Sequence, residues 1–288
     1  MLQDFPFGRL YNEYRQLQPE PEDSVICFCG NQVLLKQSDI EASCIPSLSD
    51  VLQWAGSCGW VQWQAEMVQY LFEFHGRRYF LWMGEVSDTP ISGCRFENMR
   101  LLMRQTEKEP AFVLLTAWHL FVWYRNNRFC GRCGSKTVHD TAERMMRCPS
   151  CGNLIFPRIS PAIITGVTHG DRLLLTKYAG RIVTRYALIA GYTEIGETLE
   201  QTVQREVMEE VGLRVTNIRY YKSQPWGIDG NVLMGFYCDL EGEETIHLDE
   251  RELAVGQWFD RDDLPDQDDG LTLTQEMIRV FKECREPK

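Results

Sequence analysis

No stretch of this chain stays apolar long enough to cross a bilayer as a helix. The most apolar segment, AFVLLTAWHLFVWY (Ala111 to Tyr124), is 14 residues long and contains His119; a spanning helix needs roughly 20. A positively charged leader followed by an apolar run is also missing, so neither a secretory signal nor a membrane partner is expected. Basic side chains are in deficit: 30 lysines and arginines stand against 41 aspartates and glutamates, a formal charge of -11. That balance argues against broad, nonspecific adhesion to nucleic acid. It leaves room for a local basic groove, or for a polyanion held through divalent cations. Cysteine is not scarce, at 11, but only four fall into CxxC pairs and the others are scattered. That usage disfavours a disulfide framework and fits a reducing cytoplasm. No internal repeat appears, and 288 residues with 44% hydrophobic content allow one large domain or two to three smaller ones.

Three regions follow along the chain. Residues 1–125 carry short apolar runs such as SVICFCG, QYLFEFHG and RRYFLWMG, punctuated by Gly30, Gly76 and Gly84, which predict strands. MRLLMRQTEKEPAFVLLTAWHLFVWY then predicts helix with Pro110 near a boundary, giving an α+β domain. Its tryptophans, Trp54, Trp60, Trp63, Trp82, Trp118 and Trp123, are expected in core and domain contacts.

Residues 126–157 hold the paired cysteines. Cys130 and Cys133 repeat the spacing of Cys148 and Cys151, with 14 residues between the pairs for a returning hairpin. Four soft thiolates fill a tetrahedral shell, which predicts one closed structural zinc ion per chain. Redox chemistry would need only one pair. Gly134 and Gly152 suit the tight turns that follow each pair. The basic residues Arg128, Arg132, Lys136, Arg144 and Arg147 read first as a solvated surface, with nucleic-acid contact as the alternative.

Residues 158–288 predict a mixed sheet with helices packed on it. AIITGVTH and RLLLTKY form a hairpin turning at Gly170-Asp171, and NIRYYKS, VLMGFYCDL and AVGQWFD supply later strands before a closing helix in LTLTQEMIRVFKECR. Within this region GYTEIGETLEQTVQREVMEEVGL crowds carboxylates around a single arginine. Thr198 with Gln201 makes a capping box, and Leu199, Val203, Val207 and Val211 mark the buried stripe of a helix. Glu206, Glu209 and Glu210 share an adjacent face, where unpaired they would repel one another. Hard oxygen donors at that spacing predict magnesium or manganese, with Glu206 and Glu210 as direct ligands. Glu209 is left to a second ion or to the proton of an attacking water. Arg205 is expected to point elsewhere and pair with Glu197 or Glu194, and Gly212 to give the helix its exit.

The spacing G-x5-E-x7-R-E-x2-E-E-x-G, filled by Gly191, Glu197, Arg205, Glu206, Glu209, Glu210 and Gly212 without substitution, resembles the signature of the Nudix hydrolases. The resemblance implies a Nudix mixed-sheet α/β/α sandwich. It also implies two to three divalent cations promoting attack of water on a diphosphate joined to another moiety. The four-cysteine ribbon just upstream and the stretch SQPW resemble the NADH pyrophosphatase branch, whose members also remove NAD caps from RNA. That branch implies cleavage of NADH or NAD to AMP and nicotinamide mononucleotide, action on the 5′ end of NAD-capped RNA, and a homodimer. By the same resemblance Glu252 joins the metal ligands, and Phe156, Ala190, Gln224, Pro225, Trp226 and Asn231 contact substrate. The branch motif SQPWPFPxS is matched only in its first half: Gly227, Ile228 and Asp229 replace Pro, Phe and Pro, and Asn231 stands at the final Ser. Two competing readings follow. One is a Nudix hydrolase for ADP-ribose, a diadenosine compound or another nucleoside-diphosphate derivative; the other is a non-catalytic zinc-ribbon module that binds nucleic acid or protein.

Overall fold

A computed structural model of the chain describes residues 1–6, 8–37, 44–57, 67–84, 86, 93–102, 107–180, 185–267 and 269–288. Trp60 and Trp63 lie outside the described residues, as do residues 103–106 of the long helical stretch. The chain divides into two compact units: Asp4–Arg158 with Gly227–Asp229, and Met1–Gln3 with Ile159–Trp226 and Gly230–Lys288.

The first unit opens with β1 (Leu10–Tyr11), β2 (Ser24–Ile26), β3 (Phe28–Cys29), β4 (Gln32–Lys36) and α1 (Leu48–Ser57). It continues with β5 (Val68–Phe74), β6 (Arg77–Trp82), β7 (Cys94–Asn98), α2 (Met99–Leu102) and α3 (Lys108–Asn126). Strands β1-β5-β6-β2 form one sheet and β3-β4-β7 another. Their inward residues Val25, Leu34, Tyr70 and Phe80 pack with Leu48 and Val51 of α1 in one core. The apolar stretch that was too short for a membrane is α3, and Ala111, Val113, Leu114 and Ala117 on it are buried. Pro110 sits in its first turn, where a missing N–H leaves no helical bond unmade. The unit ends in a ribbon of three very short strands, β8 (Val138–His139), β9 (Met146–Arg147) and β10 (Leu154–Ile155), paired antiparallel in the order β10-β9-β8.

The second unit holds β11 (Ser160–His169), β12 (Arg172–Tyr178), β13 (Ile189–Tyr192), α4 (Leu199–Val211), β14 (Arg214–Trp226), β15 (Asn231–Glu241), β16 (Leu253–Asp260) and α5 (Leu273–Lys282). Its mixed sheet runs β14-β15-β11-β12-β16, with β13 pairing β11 off that path and β11 parallel to β15. The predicted hairpin forms, with Thr168 opposite Leu173 and Gly170 at the turn in the left-handed region, φ 61°. The sheet is covered on both faces, which makes the sandwich. One core joins Ile163, Val167, Leu174 and Phe236 to the α4 stripe Val203, Val207 and Val211. The other joins Ile164, Leu173, Leu175 and Tyr237 to Leu273, Met277, Ile278 and Phe281 of α5. Fully burying each of the three α4 valines contributes on the order of 1.5–2 kcal/mol, enough to fix which face the helix presents outward.

Candidate active site

Helix α4 begins where its caps dictate. Thr198 accepts from the Gln201 backbone N–H while the Gln201 side chain accepts from the Thr198 N–H, and Gly212 ends the helix with φ 69°. With the valines turned inward, Glu206 and Glu210 fall toward β13 and Glu209 falls outward, 60% exposed at its side chain. Glu210 is buried, and its Oε2 has no hydrogen-bond partner. Burial, then the nearby carboxylates Glu206 and Glu252, push its acid up to about 8, with Asp249 adding to the effect. Glu206 is raised as well, again first by burial. An anionic cluster half inside the protein, with one oxygen orphaned, fits a bound cation by the chemistry of its donors.

Gly191 explains itself by space. A Cβ built on it would stand 1.9 Å from Glu206 Cδ and 2.0 Å from Oε1, so the carboxylate lies where any side chain at 191 would be. The position is not in the left-handed φ region, so glycine serves here to leave room for the Glu206 carboxylate.

Arg205 does more than was expected of it. It pairs with Glu197 at 2.6 Å, and with that bond ties the loop to the helix. It does not point away from the other glutamates, however. One nitrogen reaches Glu206 at 2.7 Å and Glu209 at 2.9 Å, and another donates to the Tyr192 carbonyl at 2.9 Å. The cause is reach: Glu209 lies one turn on, and Glu206 is adjacent in sequence, so one guanidinium fork spans both. Arg205, the Glu194 N–H and the Thr202 hydroxyl hold the Glu197 carboxyl down to about 2.

Glu252 follows a turn in which its N–H bonds the Asp249 carbonyl, while the Asp249 N–H bonds the Glu210 carbonyl, and this brings the turn to the end of α4. Asp249 was missed in the sequence. Its place three residues before Glu252 was the available signal, although Arg251 claims its carboxylate at 2.5 Å and holds it down to about 2.

The stretch SQPW is the end of strand β14, with Gln224 opposite Leu233 and Trp226 opposite Asn231. Gln224 is fully buried and its amide is committed: it donates to the Leu271 carbonyl and to Gln3 Oε1, and accepts from the Leu273 N–H. Its task is to hold the start of α5 against β14, and neither amide hydrogen is left for a ligand. Pro225 is exposed and Trp226 half-buried. Ala190 lies on β13, and its backbone N–H lowers Glu210, opposing the larger effect of burial. Asn231 is buried and donates to the Tyr192 hydroxyl at 3.2 Å, while its Oδ1 has no partner. Tyr192, overlooked in the sequence, is half-exposed with its hydroxyl tied to Asn231 and its carbonyl to Arg205. An aromatic directly after the first motif glycine could have flagged it.

In the first unit, Gly227 is again a matter of room. A Cβ there would meet the Leu115 carbonyl oxygen of α3 at 2.3 Å. Asp229 pairs with Arg100 at 2.7 Å. Two of the three residues that replace Pro-Phe-Pro, Gly227 and Asp229, thus have structural employment in that unit. Phe156 is exposed on the ribbon.

The ribbon's four sulfur atoms lie within 4.8 Å of one another. Cys130 and Cys151 stand 3.7 Å apart, and Cys133 and Cys148 3.4 Å apart. A tetrahedral ion with bonds of about 2.3 Å sets its sulfurs about 3.8 Å apart, so the cluster has the dimensions of a metal site. Two equivalent knuckles build it: the Gly134 N–H bonds the Cys130 carbonyl, the Gly152 N–H bonds the Cys148 carbonyl, and both glycines have φ near +70°.

Comparison with known proteins agrees with this construction. The NUDIX domain family matches residues 158–281, and the NADH pyrophosphatase zinc ribbon domain matches residues 125–156. The NAD-capped RNA hydrolase NudC of Pseudomonas syringae pv. syringae is 34% identical over 226 residues, covering 77% of this chain and 81% of that protein. The protein of the same name from Stutzerimonas stutzeri is 36% identical over 214 residues, covering 74% and 76%. That from Pseudomonas aeruginosa is 34% identical over 207 residues, covering 69% and 74%. On this likeness, which takes in the ribbon as well as the glutamate helix, the chain belongs to the Nudix hydrolase family, in its NADH pyrophosphatase branch.

Proposed function

We propose that this enzyme hydrolyses the central diphosphate of NADH or NAD to AMP and nicotinamide mononucleotide, and removes NAD caps from RNA 5′ ends. The observation that carries the reading is the carboxylate cluster of α4: Glu206, half-buried and crowded against Gly191, beside Glu210, buried with one oxygen orphaned. The names carried by the relatives support the substrate. Glu206, Glu209, Glu210 and Glu252 would hold two to three magnesium or manganese ions, and the four cysteines one zinc ion. When bound, the catalytic ions neutralise the diphosphate and lower the proton affinity of the attacking water. Glu209 or Glu210 takes the proton of that water, and the bond from the attacked phosphorus to the bridging oxygen breaks. Arg205 keeps Glu197, Glu206 and the Tyr192 carbonyl in fixed relation, so the loop and helix present their oxygens together. The Ala190 backbone, Pro225, Trp226, Asn231 and Phe156 are the proposed substrate contacts. Residues 1–125, 126–157 and 158–288 serve as N-terminal domain, ribbon and hydrolase domain of a cytoplasmic homodimer.

A panel of NADH, NAD, NAD-capped RNA, ADP-ribose and a diadenosine compound, each with magnesium or manganese, tests the proposal. The expected result is faster cleavage of the NAD-type substrates. Much faster cleavage of ADP-ribose would install the competing reading, which gains weight from the altered Gly227–Asp229 segment. Trp226→Ala is expected to raise KM for NADH about tenfold with kcat nearly kept, the mark of a contact that binds ground state and transition state alike. A KM for NADH unchanged from the parent would end its stacking role.

Gly191→Ala is expected to displace the Glu206 carboxylate and lower kcat on the order of a hundredfold, as misplacement by about 1 Å does elsewhere. Melting temperature should barely move, because the flexible end of Glu206 can yield. Steady-state rates with saturating magnesium, beside a thermal melt, check both halves.

A further inference from the structure

The basic residues of the ribbon take no part in the chemistry above, yet the structure places two of them, Lys136 and Arg147, on one face. Val138 and Leu154 are both paired with Arg147, one from each side. Directly opposed residues of an antiparallel sheet point the same way. All three are exposed, whereas Met146, which alternates to the other side, is buried. Lys136 precedes Val138 by two residues and so shares its side, and it bridges to Phe129, 61% exposed. Apolar and cationic groups therefore interleave along one face: Phe129, Lys136, Val138, Arg147, Leu154. Phe156 continues the alternation two residues after Leu154, and it is one of the proposed substrate contacts.

The ribbon as a whole carries a basic excess. Residues 126–157 hold five basic side chains against two acidic ones, in a chain of net charge -11. The excess remains positive when the negative charge of a four-thiolate centre is set against it. Asp140, one of the two acids, is buried and bound to Arg147 at 2.8 Å. Among the described residues, no carboxylate pairs with Arg128, Arg132 or Lys136.

We propose that this face of the ribbon binds single-stranded RNA, the stretch that follows a capped 5′ end; the assignment rests on the cap-removing reading above. Phosphates call for cations at intervals, and unstacked bases call for flat apolar surfaces between them. A duplex would hide its bases and leave Phe129 idle. A protein partner would favour a continuous apolar patch, which Lys136 and Arg147 interrupt.

The test uses the zinc-loaded full chain and a 3′-labelled, 5′-monophosphorylated single-stranded RNA of about 12 nucleotides, read by fluorescence anisotropy. Phe129→Ala is expected to weaken binding at least about fivefold, the loss of one stacked base. Lys136→Glu should weaken it further and flatten the plot of log Kd against log salt by about 0.7 for each phosphate it leaves without a cation. Lys136→Arg should bind as the parent does. NADH turnover, zinc content and melting temperature should stay close to the parent in all three variants, which shows them folded. Equal RNA affinity in parent, Phe129→Ala and Lys136→Glu would overturn the assignment. So would a change in self-association, seen by sedimentation, with RNA affinity unmoved, since the face would then serve a second copy. The failure of the underlying reading looks different: a parent that binds the RNA but cleaves neither NADH nor NAD-capped RNA keeps the platform and loses the reaction.

Discussion

Glu210→Gln is expected to lower turnover beyond a hundredfold at saturating magnesium while raising the melting temperature of magnesium-free protein near pH 8. Changes in groups that merely orient a metal ligand already lower affinity or activity by about 10–100-fold, so loss of a direct ligand should exceed that range. The stability half follows from linkage. Burial first, then Glu206 and Glu252, raise the Glu210 acid from 4.5 to about 8. A group raised in this way contributes its stability fully below the unfolded value and loses it as pH climbs through the folded one. The parent without magnesium should therefore melt at progressively lower temperature between about pH 4.5 and 8, and the glutamine variant should lack that part of the decline. Melts across this range with zinc retained, beside steady-state rates, are the measurements. Near-normal rates in the variant, or identical melting profiles, would remove Glu210 from the metal site.

Gly191→Ala and Glu210→Gln probe two carboxylates of one cluster. The first adds an atom where the Glu206 carboxylate rests, and the second removes charge where the orphaned oxygen lies. Loss of rate in both, with stability gained only in the second, separates a built ion site from an ordinary acidic helix surface. A helix that was acidic for solubility alone would show neither effect on rate.

Much of this was legible in the sequence because local rules and the global fold agree along α4. Thr198 and Gln201 cap it, the valines orient it, and Gly212 releases it, so the position of the glutamates follows from period and caps alone. The mixed sheet was legible for the same reason, since β11 and β12 carry short apolar runs with a glycine turn between them. What escaped depends on contacts distant in sequence. Gln224 looks like a polar ligand group until Leu273 and Leu271 close around its amide from nearly 50 residues away. Arg205 can be assigned one partner from spacing, but its fork reaches three glutamates and a carbonyl only once the loop has folded back. Tyr192, the last residue of β13, shows no role in sequence until Asn231 of β15 donates to its hydroxyl. Gly227 reads as the loss of a motif proline, and only α3 shows that no side chain would fit.

Cys148→Ala is expected to empty the ribbon of metal and unfold it, leaving the sandwich core of residues 159–226 and 230–288 intact. The ribbon has almost nothing else to hold it: each of its three strands is two residues long, and Thr137, Met145 and Met146 are nearly all it buries besides cysteine. So small a core cannot offset the entropy of ordering some thirty residues at about 1–2 kcal/mol each. Zinc binding of the four-thiolate kind supplies about 10–16 kcal/mol of apparent free energy at neutral pH, and losing one of four ligands forfeits much of it. Cys148 is buried with its sulfur 3.4 Å from that of Cys133, so an alanine there leaves a gap in the shell that water cannot fill with comparable softness. Metal content by atomic emission should fall well below one zinc per chain, and amide exchange should quicken across residues 128–156. Cys29→Ala, outside the cluster, should change neither. Full zinc content and slow exchange in Cys148→Ala would show that the ribbon stands without the ion, and the four sulfurs would then need another explanation for meeting at tetrahedral spacing.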